Sequence, residues 1–187
     1  MLFLVSGTSR SGKTLIAKKI LADKQIPYLS LDWLMMGFND GIPEYGIHHL
    51  LWPMEIAKKM GPFLQGMIEN MLFDGMDYVI EGEAMLPHLV ADLIEKHPDK
   101  IKVMFLGYTE INVEDKVALV KKHGDGENDW LTKKSDEYIR EHIGNMIAYS
   151  NMIKNGCEEH GLSYFDTSED FLGTIEAATD FLVGDLN

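Results

Sequence analysis

The sequence predicts an α/β protein, a parallel sheet with helices on both faces. Short apolar runs alternate with longer stretches of helical periodicity along all 187 residues. The opening apolar run leads through a glycine-bearing loop into a helix, and no repeat, low-complexity tract or long linker breaks the alternation.

Each element has its own signal. The first strand is the apolar run from Met1 to Val5. Residues 26–31 read as a second strand, and residues 78–80, 102–106 and 163–165 centre three more. Pro27 cannot donate to a sheet ladder, so the second strand belongs at an edge or begins at its proline. Helical spacing covers residues 15–22, 52–73, 86–96, 113–122, 136–160 and 169–182. In the first of these, Leu15, Ile16, Ile20 and Leu21 form the expected apolar face; in the second, Met54, Ile56, Met60, Phe63, Leu64, Met67, Ile68 and Met71 read as core packing. Asn112, Ser135 and either Thr167 or Ser168 are suited to cap the last three helices, and Gly161 to stop the helix over 136–160.

Gly7-Thr8-Ser9-Arg10-Ser11-Gly12-Lys13-Thr14 satisfies G-x-x-x-x-G-K-[ST] at every fixed position, directly after the first strand. Two glycines let the backbone turn tightly, so that successive N–H groups converge on phosphate oxygens. Lys13 is then expected at the terminal phosphates, and the Thr14 hydroxyl on Mg²⁺, with the positive end of the following helix behind them. The full pattern arises by accident in on the order of 1% of chains this long. A nucleoside triphosphate with Mg²⁺ is the expected ligand, and all eight loop residues are its candidate contacts.

Composition narrows the remainder. A formal charge of -13 argues against a nucleic-acid surface. The first 24 residues run the other way, with Arg10, Lys13, Lys18, Lys19 and Lys24 against Asp23 alone. The single cysteine, Cys157, excludes an intrachain disulfide and suits a reducing cytoplasm. No leader or membrane-length apolar run is expected. No two of the seven histidines have metal-ligand spacing. The acidic string 125–129 lacks the spacing of a calcium loop.

Carboxylates follow two of the strands. Asp32 ends the run after the second strand, and Glu81 and Glu83 end the third. In sheets of this kind ligands bind beyond the carboxyl ends of the strands. Asp32 there can orient Mg²⁺ through its waters, accept a proton from an attacking hydroxyl, or cap the segment 33–37. Glu81 is a second candidate for the metal, and Glu83 a weaker one.

The loop, the stretch Leu31-Asp32-Trp33-Leu34-Met35-Met36 and a third strand closing in an acid together resemble the small P-loop kinases, among them adenylate, shikimate and gluconate kinases and chloramphenicol phosphotransferase. Residues 30–37, with Leu51-Trp52-Pro53, are most similar to adenylate kinase-like and 2-phosphoglycerate kinase-like members. The resemblance implies one domain over 1–187, a three-layer fold, and a five-stranded parallel sheet in the order 2-3-1-4-5. It also implies an acceptor-binding insert at about 33–60 and a small lid at about 123–135. An acid at the place of Asp32 acts there on the metal or the acceptor, and lid arginines clamp the transferring phosphoryl group. This chain has only Arg10 and Arg140. Arg140, with Lys121, Lys122, Lys133 and Lys134 nearby, is the expected clamp, or else pairs with Asp136 or Glu137 along its helix.

The function expected is an ATP-dependent transfer of phosphate to a hydroxyl or phosphate of a small molecule, with Lys13, Asp32 and Arg140 as catalytic residues and Thr14, Asp32 and Glu81 around Mg²⁺. His48 and His49 lie in the acceptor neighbourhood or on a solvated loop. The alternative is a nucleotide switch without an acceptor, although no Asn-Lys-x-Asp segment of the guanine-specific kind is present. Neither the acceptor nor the oligomeric state is written in the residues.

Overall fold

The computed structural model describes residues 1–124 and 129–186. Its elements, in chain order, are β1 (Leu2–Gly7), α1 (Lys13–Lys24), β2 (Tyr28–Ser30), α2 (Leu31–Gly41), a 3₁₀ turn (Pro43–Tyr45), α3 (Pro53–Asp74) and β3 (Tyr78–Gly82). Then follow α4 (Pro87–Lys96), β4 (Ile101–Gly107), α5 (Val113–His123), α6 (Asp136–His160), β5 (Tyr164–Asp166) and α7 (Phe171–Val183). The strands form one sheet in the order β2-β3-β1-β4-β5, with every pair parallel. β2 is an edge strand, and Pro27 immediately precedes it, as its missing N–H requires.

Strand alternation divides the core. Leu2, Leu4, Ile80, Val103 and Phe105 face α3, α4 and α6, while Phe3, Val5, Val79, Met104 and Leu106 face α1 and α7. On α3 the buried positions Ala57, Met60, Leu64, Ile68 and Leu72 keep helical spacing. Met54 and Phe63, expected in the core, lie on the exposed side. On α1 the buried stripe is Ile16, Ala17 and Ile20, while Leu15 and Leu21 point outward. Ala17 belongs to the face because it is fully buried among Phe3, Val5, Ile16 and Ile20.

Local chemistry sets the helix ends. Asn112 accepts the Asp115 N–H and Ser135 the Tyr138 N–H, and Gly161 takes the left-handed conformation after α6. α7 begins later than expected, capped by Asp170, which accepts from Gly173 N–H at 2.9 Å. Thr167 and Ser168 are drawn elsewhere: Thr167 Oγ1 donates to Gly107 O, and Ser168 Oγ accepts from Glu110 N–H. α2 is a full helix rather than a short segment before a polar insert. Leu31, Leu34, Met35 and Phe38 supply its inward face, and Ser30, not Asp32, occupies its cap position.

Candidate active site

The loop from Gly7 to Gly12 is shaped by close packing. Gly7 has φ 133°, and a Cβ there would lie 1.9 Å from Leu106 O. Gly12 has φ 103°, and a Cβ would meet Ile175 Cδ1 at 2.4 Å. Between them Arg10 holds φ 63°, a left-handed conformation that costs a non-glycine residue about 1–2 kcal/mol. Thr8 O receives both Ser11 Oγ at 2.8 Å and Lys13 Nζ at 2.6 Å, so the lysine lies across the mouth of the loop. The first amides of α1 have no carbonyl partner one turn back within the helix, and the helix dipole adds positive potential there. The cradle suits the phosphates of a nucleotide.

Three elements distant in sequence support this loop. Tyr108 OH donates to Ser9 O at 2.8 Å, and Ser150 Oγ lies 3.1 Å from Thr8 Oγ1 and accepts Tyr108 N–H. Lys116 of α5 is buried, sits 3.8 Å above the Tyr108 ring, and donates to Arg10 O at 3.2 Å. Burial lowers the Lys116 amine to about 8. The Arg10 guanidinium forms a two-pronged ion pair with Asp129, one prong measuring 2.8 Å. That pair holds the Asp129 carboxyl down at about 2.

The carboxylates converge on the same place. Glu81 is buried at the end of β3; it accepts the Thr14 hydroxyl at 3.3 Å and is hydrogen-bonded by Ser30. Burial raises its pKa above the usual carboxylate range, with the nearby Asp32 adding to the rise. Glu83 Oε1 lies 3.6 Å from Lys13 Nζ, and burial raises its value too, against the pull of Lys13. Asp32, in the exposed first turn of α2, is close enough to act on both. Among the described residues no group of three or more His, Cys, Asp and Glu side chains can hold a metal alone. Thr14 with Glu81 and Asp32 fits Mg²⁺ of the kind that keeps its waters and phosphate oxygens and takes few protein ligands.

Other candidates lie apart. Arg140 is exposed and bonded to Glu114 of α5 at 2.5 Å, not to Asp136 or Glu137. Lys121 pairs with Asp136 instead. Of the region expected as a lid, residues 125–128 fall outside the described residues; Asp129 to Lys134 form turns against α5 and α6, with Leu131 buried. His49 contacts Asn39 at 3.3 Å, and the buried Nδ1 of His48 has no hydrogen-bond partner among the described residues. A cavity of about 520 Å³ between α3 and α4 is lined by Met54, Lys58, Leu64, Ala84, Met85 and Leu89 among others, and by none of Lys13, Thr14, Asp32, Glu81 and Glu83.

Sequence reasoning sets Glu83 low, passes over Lys116, Tyr108 and Ser150, and weighs Asp129 only as part of the acidic string in the expected lid. Lys116 had left a signal. It falls on the α5 face shared by Val113, Val117 and Val120, where a charged side chain is out of place. The others reach the loop only through contacts across the fold.

No family model matches the chain, and no curated protein matches it in sequence. Solved structures match it in fold. A gluconokinase from Sinorhizobium meliloti 1021 superimposes with a TM-score of 0.60 at 16% identity, over 97% of this chain and 91% of that one. A sugar kinase from Janibacter sp. HTCC2649 gives 0.55 at 18%, over 97% and 93%, and a shikimate kinase from Bacteroides thetaiotaomicron 0.54 at 12%, over 97% and 98%. At such identities the likeness is one of architecture. Strand order, the glycine loop after β1 and these superpositions together give this chain the fold of the small P-loop kinases.

Proposed function

We propose that the chain is an ATP-dependent phosphotransferase acting on a hydroxyl or phosphate of a small molecule. One observation carries the reading: a phosphate-cradling loop meets the carboxylates Asp32, Glu81 and Glu83 at the carboxyl ends of β2 and β3. The gluconokinase, sugar kinase and shikimate kinase that share the fold support a kinase.

In this reading the loop amides and Lys13 hold the triphosphate, and Lys13 exchanges Thr8 O for a phosphate oxygen. Thr14, with Glu81 and Asp32 behind it, holds Mg²⁺, which when bound would draw charge from the phosphate oxygens. Asp32, exposed to the cleft, takes the proton of the acceptor hydroxyl or orients the water shell of the metal. Glu83, 3.6 Å from the Lys13 amine, holds it facing the loop. Residues 1–187 act as one unit, with residues 33–60 as the acceptor side and 123–135 as the lid. Among the described residues no helix is long and apolar enough to cross a membrane. A single buried thiol suits the cytoplasm.

The test is ADP release over a panel of sugar acids, nucleosides, phosphoglycerates and aromatic alcohols. An acceptor that accelerates release identifies the class. With it, Lys13→Ala should lower turnover by about 10²–10³, and Asp32→Asn by about 10²–10⁴. Unchanged turnover in both variants rejects the scheme; slow hydrolysis that no acceptor stimulates favours a switch.

A further inference from the structure

We propose that Arg10, carried on the loop itself, is the cation that stabilises the transferring phosphoryl group, and that Asp129 is the positioning residue that aims it. The inference rests on the phosphotransfer reading above. It reverses the arrangement that the kinase resemblance implies, in which the lid supplies the arginine. Here the expected lid region supplies a carboxylate, and the loop supplies the arginine.

The chain has two arginines, and Arg140 is spent on the surface with Glu114. Arg10 is set differently. Both its terminal nitrogens bond to the Asp129 carboxylate, end-on. That geometry occupies two of the five guanidinium N–H donors and leaves three for a ligand. Asp129 is a fixed anchor rather than a passing partner: its side chain is 3% exposed, and Oδ1 also accepts the N–H groups of Leu131 at 3.0 Å and Thr132 at 3.2 Å. Leu131 is packed among Val117, Val120, Ile139 and Ile143, so the anchor belongs to the α5–α6 core.

Removing Arg10 from this carboxylate would strand a buried charge, so the pair persists when a nucleotide arrives. The main chain of Arg10 is held as firmly as its side chain, because Lys116 donates to its carbonyl. A residue that tolerates a left-handed backbone in the phosphate loop, pinned by a cation on one side and aimed by an anion on the other, is preorganised for charge that develops beside it. The neighbouring His142 does not compete for the role. Its imidazole is held toward the neutral form by burial and by Arg10 itself.

Calorimetry on the full chain with Mg²⁺ tests this without knowing the acceptor, by comparing ADP with ADP plus aluminium fluoride, a mimic of the transferring group. Arg10→Ala and Asp129→Asn should each weaken the fluoride complex about 10²-fold, while ADP alone shifts less than about threefold. Alanine suits the left-handed backbone no better than arginine, so the loop geometry is retained. The double variant should lose no more than Arg10→Ala alone, because both act through one guanidinium. Asp129→Glu should recover part of the loss, and Arg10→Lys, which keeps the charge without the fork, should not.

Equal weakening of ADP and its fluoride complex, together with a lowered melting temperature, would mean a structural pair and overturn the proposal. So would losses that multiply in the double variant, or a fluoride complex indifferent to Arg10. If ADP fails to bind the unmodified chain, the nucleotide reading falls first and this inference with it. If ADP binds and only the Arg10 dependence is missing, this inference falls alone.

Discussion

On the glycine-loop side of the cleft Thr8, Ser11 and Lys13 are buried and hydrogen-bonded, whereas on the other side Trp33, Tyr45 and Leu50 are 59%, 62% and 78% exposed. The first region is tied down from β4, α5 and α6; the second, from α2 to the start of α3, covers only part of its apolar surface. In the proposed phosphotransferase the difference follows from what each side would recognise. A triphosphate is one shape with fixed charge, so backbone amides held in place can meet it at little ordering cost. An acceptor varies among enzymes of one fold, and the side proposed to meet it is the one that leaves large side chains exposed.

The comparison can be broken at three places. The largest effect should come from Gly7→Ala. The new methyl would overlap Leu106 O, and both groups belong to rigid strands. We expect a loss of more than about 4 kcal/mol of stability. Circular dichroism should show a chain that is unfolded or melts far lower. A variant that melts near the parent would show the loop side to be as pliant as the insert.

Glu81→Gln should act in the opposite sense. Burial raises the Glu81 pKa in the folded protein, so the folded state holds this proton more tightly than the unfolded chain. Its contribution therefore declines as pH rises from about 4.5 through the folded value, and the ionised form is a cost at neutral pH. Glutamine keeps an oxygen for Thr14 and Ser30 and removes the charge. Melting at pH 7 should rise by about 2–4 °C, the worth of roughly 1 kcal/mol in a chain of this length. The gap should close as pH falls toward 4.5, while metal-dependent turnover is lost. A lower melting temperature at pH 7 would show that the hydrogen bonds outweigh the buried charge.

The smallest effect on stability belongs to Tyr45→Ala, whose side chain stands largely in solvent. Melting should move by no more than about 0.5 kcal/mol. The KM of the acceptor should change while that of ATP does not. A shift in the KM of ATP instead would erase the distinction between the two sides.

The glycine loop, the cap residues Asn112 and Ser135, and the edge placement of β2 were readable because each depends on neighbours a few residues away: a positive φ, a hydroxyl before an amide, a proline without a donor. α2 was half visible, since its four inward residues are few and lie beside exposed Trp33 and Met36. The outward turn of Leu15 and Leu21 was not visible at all, because periodicity names an apolar stripe without naming which edge of it the sheet covers. Arg10 and Asp129 stand 119 residues apart, Thr8 and Ser150 142. Their meeting is decided by crossovers that carry α5 and α6 over the loop, and by the desolvation that makes an unpaired charge there costly. Short-range backbone and capping chemistry is carried by the sequence itself; which distant charges share a buried site is settled only when the chain has closed around them.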